Sequence, residues 1–346
     1  MSDNTNKERF KKVTDGAKKF ASDAKKGLVK AKDGALTLKD GIAAKIDQNG
    51  DGTVDITDVI MMAVKVPGVH VTRASFLQKE LYKSYPQDVI DKAIETTPAQ
   101  AGIASEDLDK IADAVINFER NCVSGISVAL GAPGGWAMAA TIPADIAQYY
   151  GYTLRALQKL MYLYGFPEID TDEEGLFIDT ETMNMIILCL GVMNGVAGAN
   201  NAVKGFAKAL AVGVEKQLMK KALTKGAFYP FVKSVAKWFG VKMTKEVFAG
   251  FFKKAIPIVG GVVGGGITFL SFKPCCLRLK NALQDTMLSN PNHVSTAQED
   301  KIVNSIMNGE VIDLEDESFI NVDESDDVIY KDQNDATEKS EVNPEE

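Results

Sequence analysis

The chain has 346 residues and a net charge of −8, and its content of 45% hydrophobic, 25% charged and 8% aromatic residues is ordinary for a globular protein. This composition excludes collagen-like, coiled-coil and wholly disordered chains. Only two histidines occur, His70 and His293, and the four cysteines show no CxxC spacing. The sequence therefore argues against a histidine-built zinc site, a redox pair and histidine-dependent nucleophilic catalysis. No apolar signal segment follows the lysine-rich start, so we expect a cytoplasmic protein.

The first segment, residues 1–45, is a basic arm with twelve Lys/Arg against six Asp/Glu. Apolar residues between Phe10 and Ile42 recur at steps of three and four, which predicts an amphipathic helix with a cationic face. Such a helix either packs on its own protein or lies on an anionic membrane surface. Acidic residues are interleaved with the lysines and no stacking aromatics accompany them, which argues against nucleic-acid binding.

The next segment, DQNGDGTVDITD at residues 47–58, has the spacing of a calcium-binding loop and is called the acidic loop below. Such a loop needs oxygen ligands at positions 1, 3, 5, 7, 9 and 12 and a glycine at position 6 for a sharp turn, here Gly52. Val54, at position 8, is expected to anchor the loop to the core. The predicted ligands are Asp47, Asn49, Asp51, Thr53 through its carbonyl oxygen, Asp55 directly or through water, and Asp58.

With apolar flanks on both sides, residues 35–68 resemble a single EF-hand of the dockerin-like variant, which also ends its loop with Asp. The resemblance implies Ca²⁺ as the bound ion. Most EF-hands place Glu at position 12, whereas Asp58 is one methylene shorter. The loop must close further around an ion, and Mg²⁺ stays open as an alternative to Ca²⁺.

The body, residues 69–288, shows helical spacing and almost no alternation typical of strands, so we predict an all-α multi-helix bundle. Prolines, glycines and capping residues mark the boundaries of its helices. The predicted helices span residues 75–85, 87–96, 105–130, 143–164, 180–211, 215–223, 244–272 and 273–288.

Three uncharged runs, residues 121–144, 182–203 and 255–272, are long enough to span a bilayer. Prolines, glycines and asparagines within them favour a buried protein core over contact with lipid. Both interpretations stay open, and the third run is the best candidate for a membrane span because lysines bracket it. The protein is therefore expected to be cytoplasmic, or peripheral or integral at an inner membrane.

The segment GAPGGWAMAATIPADIAQYYGYTLRALQKLMYLYGF, residues 131–166, resembles the bacterial EcsC protein family. The family joins a Gly/Pro-rich turn to a helix that carries PAD, then Arg, then Tyr-Gly. The run IPIVGGVVGGG, residues 256–266, is similar to the family's glycine-rich C-terminal helix, and the resemblance covers residues 100–285. It implies a bacterial, membrane-proximal helical protein and supplies no active site.

Catalysis has weak support in the sequence. Asp145, Tyr149, Tyr152 and Arg155 lie on or near one helix and are candidates for a polar pocket, but such residues more often form separate structural pairs. Neither glycine-rich run has the context of a nucleotide-binding loop. We therefore predict a non-enzymatic protein, and an enzyme that acts on lipid or cell-envelope substrates is the alternative.

A second acidic segment, DTDEEGLFIDTE at residues 170–181, partly repeats the calcium-loop spacing. Its matching positions are Asp170, Asp172, Glu174, Gly175, Phe177 and Glu181. Ile178 occupies a position that requires a polar group. The segment is either a degenerate ion site or, more simply, an acidic loop between helices.

The chain ends in a short helix within residues 289–309, which Thr296 and Glu299 are predicted to cap, and an acidic tail. Residues 309–346 carry fifteen Asp/Glu and two Lys, and we predict that residues 310–346 are disordered. The tail is interpreted as a solubilising segment, with a docking site for a protein partner or a cover for the basic arm as alternatives.

Overall fold

The computed structural model describes residues 45–131, 142–169, 178–242, 260–290 and 292–314, together with Asp15. Its helices are α1 (Ile56–Val64), α2 (Arg73–Leu81), α3 (Gln87–Glu95), α4 (Ser105–Gly131), α5 (Ile142–Leu163), α6 (Thr180–Met193), α7 (Ala199–Ala211), α8 (Lys216–Lys225), α9 (Tyr229–Lys242), α10 (Gly260–Gln284) and α11 (Ala297–Asn308).

The prediction of an all-α bundle is confirmed. The described residues contain eleven helices and no strand. Within this part of the chain, no helix combines the length and the apolar character that crossing a bilayer requires.

Four helices, α4, α5, α6 and α10, form the centre of the bundle. Helix α10 packs along α4 and also contacts α5 and α6, while α4 packs on α5. The core is aliphatic and aromatic, with Tyr162, Phe166 and Phe228 among its fully buried side chains. Helix α1, which follows the acidic loop, packs on α5, and the last helix, α11, packs on α7.

The predicted helix over residues 180–211 is wrong in one respect, because the structure divides it into α6 and α7. The break lies at residues 194–198, where Gly195 and Gly198 have φ values of +67° and +81°. This left-handed region of backbone space ends a helix and favours glycine. The lack of charged residues over 182–203 concealed the turn.

The boundary predicted between residues 272 and 273 is also wrong, since α10 continues through Pro274. Proline cannot donate a hydrogen bond to the residue four positions earlier, here Leu270. Leu270 is 65% exposed, and at an exposed residue water can take the place of the missing donor. Helix α9 was not predicted from the sequence.

Helix α11 follows its predicted boundaries closely. The Thr296 side chain accepts a hydrogen bond from the Glu299 backbone N–H at 3.2 Å, and Gly309 ends the helix with a φ of +70°. The basic arm before residue 45, residues 170–177 of the second acidic segment, residues 243–259 and the tail after residue 314 lie outside the described residues, apart from Asp15. The predictions that concern those segments stay predictions.

Candidate metal site

The acidic loop enters helix α1 through a reciprocal cap. The Asp55 side chain accepts hydrogen bonds from the N–H groups of Thr57 and Asp58, and the Asp58 side chain accepts one from the Asp55 N–H at 3.0 Å. Position 9 of the calcium-loop spacing is thus the N-cap of α1 and position 12 lies in its first turn. The apolar flanks pack as expected, because Ile46 and Val59 are both buried.

The first half of the loop folds around its own backbone N–H groups. Asp47 accepts hydrogen bonds from Gly50 at 2.7 Å and from Gly52 at 2.9 Å. Asn49 accepts from the Asp51 N–H at 2.9 Å, and Asp51 accepts from the Thr53 N–H at 2.7 Å. Short polar side chains at alternate positions therefore close a series of tight turns.

Gly52 occupies the position that a calcium loop reserves for glycine. Its φ is +81°, and a Cβ atom built on it would meet no heavy atom within 4 Å. The requirement for glycine is therefore conformational and not steric, because a left-handed backbone is costly for residues with a Cβ.

Asp58 is the buried acidic residue of the loop, with no exposed surface. Its carboxylate accepts hydrogen bonds from the N–H groups of Gln48 at 2.8 Å and Asn49 at 3.2 Å, in addition to the one from Asp55. Burial raises the pKa of Asp58, and these hydrogen bonds oppose that rise. The side chain thus joins the start of the loop to its end.

The donor set fits a hard cation in its chemistry, because it consists of carboxylate, amide and carbonyl oxygens in one twelve-residue loop. The carboxylates themselves are turned toward backbone N–H groups. Among the residues that the structure describes, including the whole acidic loop, no three His, Cys, Asp or Glu side chains are grouped closely enough to hold a metal ion. The metal site therefore stays a prediction.

Helix α1 and the turn after it are fixed to α5 by three residues. Gly151 permits close approach, since a Cβ there would lie 3.0 Å from Val69 Cγ2. The Gln158 side chain donates to the Val69 carbonyl at 3.0 Å and accepts from the Val71 N–H at 3.1 Å. Arg155 donates to the Gly68 carbonyl. The end of the predicted EF-hand is thus attached rigidly to the body.

An ionic cluster of Glu119, Arg155 and Lys159 lies between α4 and α5, and the sequence analysis missed it. Glu119 is fully buried and its carboxylate contacts Arg155 Nε at 3.1 Å and Lys159 Nζ. Burial lowers the pKa of Lys159, and the charge of Glu119 opposes this effect. A signal was present, because Glu119 falls in the helical register of the apolar residues Val115 and Cys122.

The polar pocket considered for catalysis is not formed by the residues that the structure describes. Arg155 is held by Glu119, and Tyr152 is buried, while the side chain of Asp145 lies outside the described part. A cavity with a volume of about 10 Å³, the space of one water molecule, lies among the described residues. It is lined mainly by aliphatic side chains such as Leu154 and Ile186.

The thiols give no support for nucleophilic catalysis either. Burial raises the pKa of Cys122 to about 11 and that of Cys189 to about 12. The thiolate is the reactive form, so these groups stay protonated and inert at neutral pH.

The chain matches no protein-family model, no curated protein and no solved structure.

Proposed function

We propose that the protein is a calcium-binding, non-enzymatic helical protein of the EcsC type, in which the acidic loop holds the ion. The observation that carries the proposal is the loop itself. It combines oxygen donors at the six expected positions with a left-handed glycine at the sixth residue and a helix that begins directly after the ninth.

In this proposal Asp47, Asn49, Asp51 and Asp58 supply side-chain oxygens, Thr53 its carbonyl oxygen, and Asp55 a direct or water-mediated contact. A bound ion supplies positive charge that offsets the repulsion among these carboxylates. To bind the ion, the carboxylates of Asp47 and Asp51 must turn toward a common centre. They then give up the hydrogen bonds that they accept from backbone N–H groups. Asp58 already lies at the junction of loop and helix.

The attachment of α1 to α5 gives ion binding a structural consequence. Residues after the loop are fixed to the body through Gln158 and Gly151, whereas the basic arm precedes the loop. An ion that closes the loop therefore sets the direction in which the arm enters the body. We propose that calcium orders the arm against the body or against an anionic membrane surface, near the inner face of a bacterial membrane.

Calorimetric titration of Ca²⁺ and Mg²⁺ into the full chain tests the ion site. The informative variant is Asp51→Asn, which keeps a side-chain oxygen for the Thr53 N–H and removes one charge. We expect the wild type to bind one Ca²⁺ and the variant to bind it at least about tenfold more weakly, which is about 1.4 kcal/mol.

Asp88→Asn is the matched control, because Asp88 is an exposed aspartate in the first turn of α3, outside the loop. It should leave the titration unchanged. Absence of binding heat in the wild type, or identical affinities in the wild type and Asp51→Asn, would contradict the proposal. Binding heat with Mg²⁺ and none with Ca²⁺ would identify magnesium as the ion of this site.

Co-sedimentation with phosphatidylglycerol-containing vesicles, in calcium and in chelator, tests the effect on the arm. Different bound fractions in the two conditions are expected if the ion orients the arm on a membrane. Equal fractions would remove the membrane switch and leave a structural ion.

A further inference from the structure

Exposed lysines are concentrated on α8 and α9, two consecutive helices that contact each other. We call them the lysine face. Residues 204–242 contain nine lysines and a single acidic residue, Glu215. Helix α8 buries Met219, Ala222 and Leu223, so its lysines emerge on the opposite side. The exposed members of the lysine face are Lys216, Lys220, Lys221, Lys225, Lys233 and Lys237.

Most of this charge is not neutralised by neighbouring acidic groups. Lys220 pairs with Glu181 at 3.0 Å. For Lys221, Lys225, Lys233 and Lys237, no acidic partner occurs among the residues that the structure describes. The like charges on α8 and α9 therefore repel one another and attract a polyanion.

Lysines on the adjacent helix α7 have a different environment. Lys204 contacts Asp285 at 2.7 Å, and Lys208 contacts Asp300 at the start of α11. The two lysines of α7 thus have acidic partners. Four lysines of the lysine face, one helix away, have none among the described residues.

The last described residues before the acidic tail lie near the lysine face. Helix α11 contacts α8, and a Cβ atom built on Gly309 would lie 3.5 Å from Lys221 Nζ. After the helix, buried Ile312 holds the chain on the body, and the last described residue is Leu314. The tail therefore begins within a few residues of a contact with the lysine face.

The charge of the tail complements that surface. Residues 315–346 contain thirteen Asp/Glu and two Lys, which is a net charge of −11. They number 32 and reach up to about 100 Å when extended. Helices α8 and α9 measure only about 15 Å and about 21 Å at 1.5 Å per residue. Length does not limit the contact.

We propose that residues 315–346 bind across the lysine face of the same molecule and mask it. The covalent connection gives the tail an effective concentration in the millimolar range, roughly, so pairs that are individually weak act together. The contact is electrostatic and therefore sensitive to salt. It makes the folded body less available to other polyanions, and it is independent of the proposed calcium site.

Zero-length carbodiimide cross-linking of the full chain, followed by peptide mapping, tests this inference, because it joins a carboxylate only to a lysine that it touches. We expect intramolecular links from residues 315–346 to Lys221, Lys225, Lys233 and Lys237. The links should be lost when the ionic strength rises from about 0.05 M to about 0.5 M, since the screening length then falls well below 10 Å. They should persist in chelator.

Two variants and a control sharpen the result. In Lys221→Glu/Lys225→Glu, the links from the tail should fall several-fold. The control Lys83→Glu/Lys92→Glu reverses two exposed lysines on other elements and should leave them unchanged. A tail variant with amides at residues 323, 324, 326 and 327 should also weaken the links, and it alters no residue of the folded body.

Three outcomes would overturn the inference. Links mainly to lysines of residues 1–45 would show that the tail binds the basic arm and not the lysine face. Links only between molecules, or spread evenly over exposed lysines, would exclude a specific contact within one chain. The third outcome is that no links form and that the chain binds vesicles through Lys221 and Lys225, so that Lys221→Glu/Lys225→Glu abolishes this binding. The lysine face would then be a surface for anionic lipid.

Discussion

The acidic loop and the ionic cluster both concentrate charge, and they satisfy it in opposite ways. In the cluster, buried Glu119 meets two cationic side chains, Arg155 and Lys159, so the charges are paired inside the body. In the loop, Asp47 and Asp51 are met by backbone N–H groups, which neutralise no charge. The cluster is complete without a ligand, whereas the loop keeps an excess of negative charge.

This difference separates a structural polar group from a candidate binding site. Glu119 has no exposed surface and contacts α5 from α4, so its removal affects the packing of two central helices. Asp51 is exposed and its hydrogen bonds are local. Charge density alone does not indicate function. What distinguishes the loop is charge that is accessible and has no cationic partner among the contacts that the structure shows for it.

The largest effect is expected from Glu119→Ala. Removing this buried carboxylate leaves the half-buried cations of Arg155 and Lys159 beside each other, and breaking a buried ion pair costs about 3–5 kcal/mol. Denaturant unfolding measures the loss. The control Lys110→Ala, in an exposed pair with Asp107, should leave the unfolding free energy nearly unchanged. Similar losses in both variants would show that the cluster is no more than a surface pair.

Asp58→Ala should have the next largest effect. Asp58 is the one fully buried acidic residue of the loop, as Glu119 is in the cluster. The variant removes half of the α1 cap and the acceptor for three N–H groups, which costs about 2 kcal/mol. Unfolding in chelator measures this loss without any contribution from an ion. Unchanged stability would mean that Asp58 does not hold the loop closed.

The sequence predicted the fold class and much of the loop, because both depend on local patterns. The spacing of apolar residues identified α4 and α5, the capping residues Thr296 and Glu299 identified α11, and the loop spacing placed glycine at the residue whose φ is +81°. Those features are encoded within a dozen neighbouring residues. The start of α1 after Asp55 follows from the same local chemistry.

Features that depend on distant contacts were not predictable in this way. Glu119 meets its partners 36 and 40 positions later, and no local pattern identifies them. Helix α10 continues through Pro274 while it packs on α4, α5 and α6, which are distant from it in the sequence. Helix α9 begins with Tyr229 and Pro230. Proline is tolerated in the first turn of a helix, so Pro230 does not end a helix at this position.

Gly52→Ala tests whether the loop depends on backbone geometry as strongly as the cluster depends on charge. The left-handed conformation at this residue should cost about 1–2 kcal/mol with a Cβ present. The control is Gly240→Ala in α9, where a Cβ also meets no atom within 4 Å but φ is not positive. Alanine is the better helix former, so this control should gain up to about 1 kcal/mol. Thermal unfolding of both variants measures the contrast, and changes of the same sign would contradict it.

The smallest effect concerns an ion pair intermediate between the two regions, Lys204 with Asp285, whose carboxylate side chain is 58% exposed. The hydrogen bond from Lys204 lowers the pKa of Asp285, and His293 contributes in the same direction while burial opposes them. A lowered pKa in the folded state stabilises the protein above the unfolded-state pKa of about 3.9, and this contribution is lost as the pH falls through the folded-state value.

Lys204→Met keeps the apolar stem and removes the charge, so we expect a loss below about 1 kcal/mol at pH 7 because solvent screens an exposed pair. The loss should disappear at a pH below both pKa values, where Asp285 is protonated in either state. Denaturant unfolding at the two pH values measures it, and Lys237→Met is the control without an acidic partner among the described residues. A loss of equal size at both pH values would show that the stabilisation by Lys204 does not depend on the charge of Asp285, and the pair would then resemble neither the cluster nor the loop.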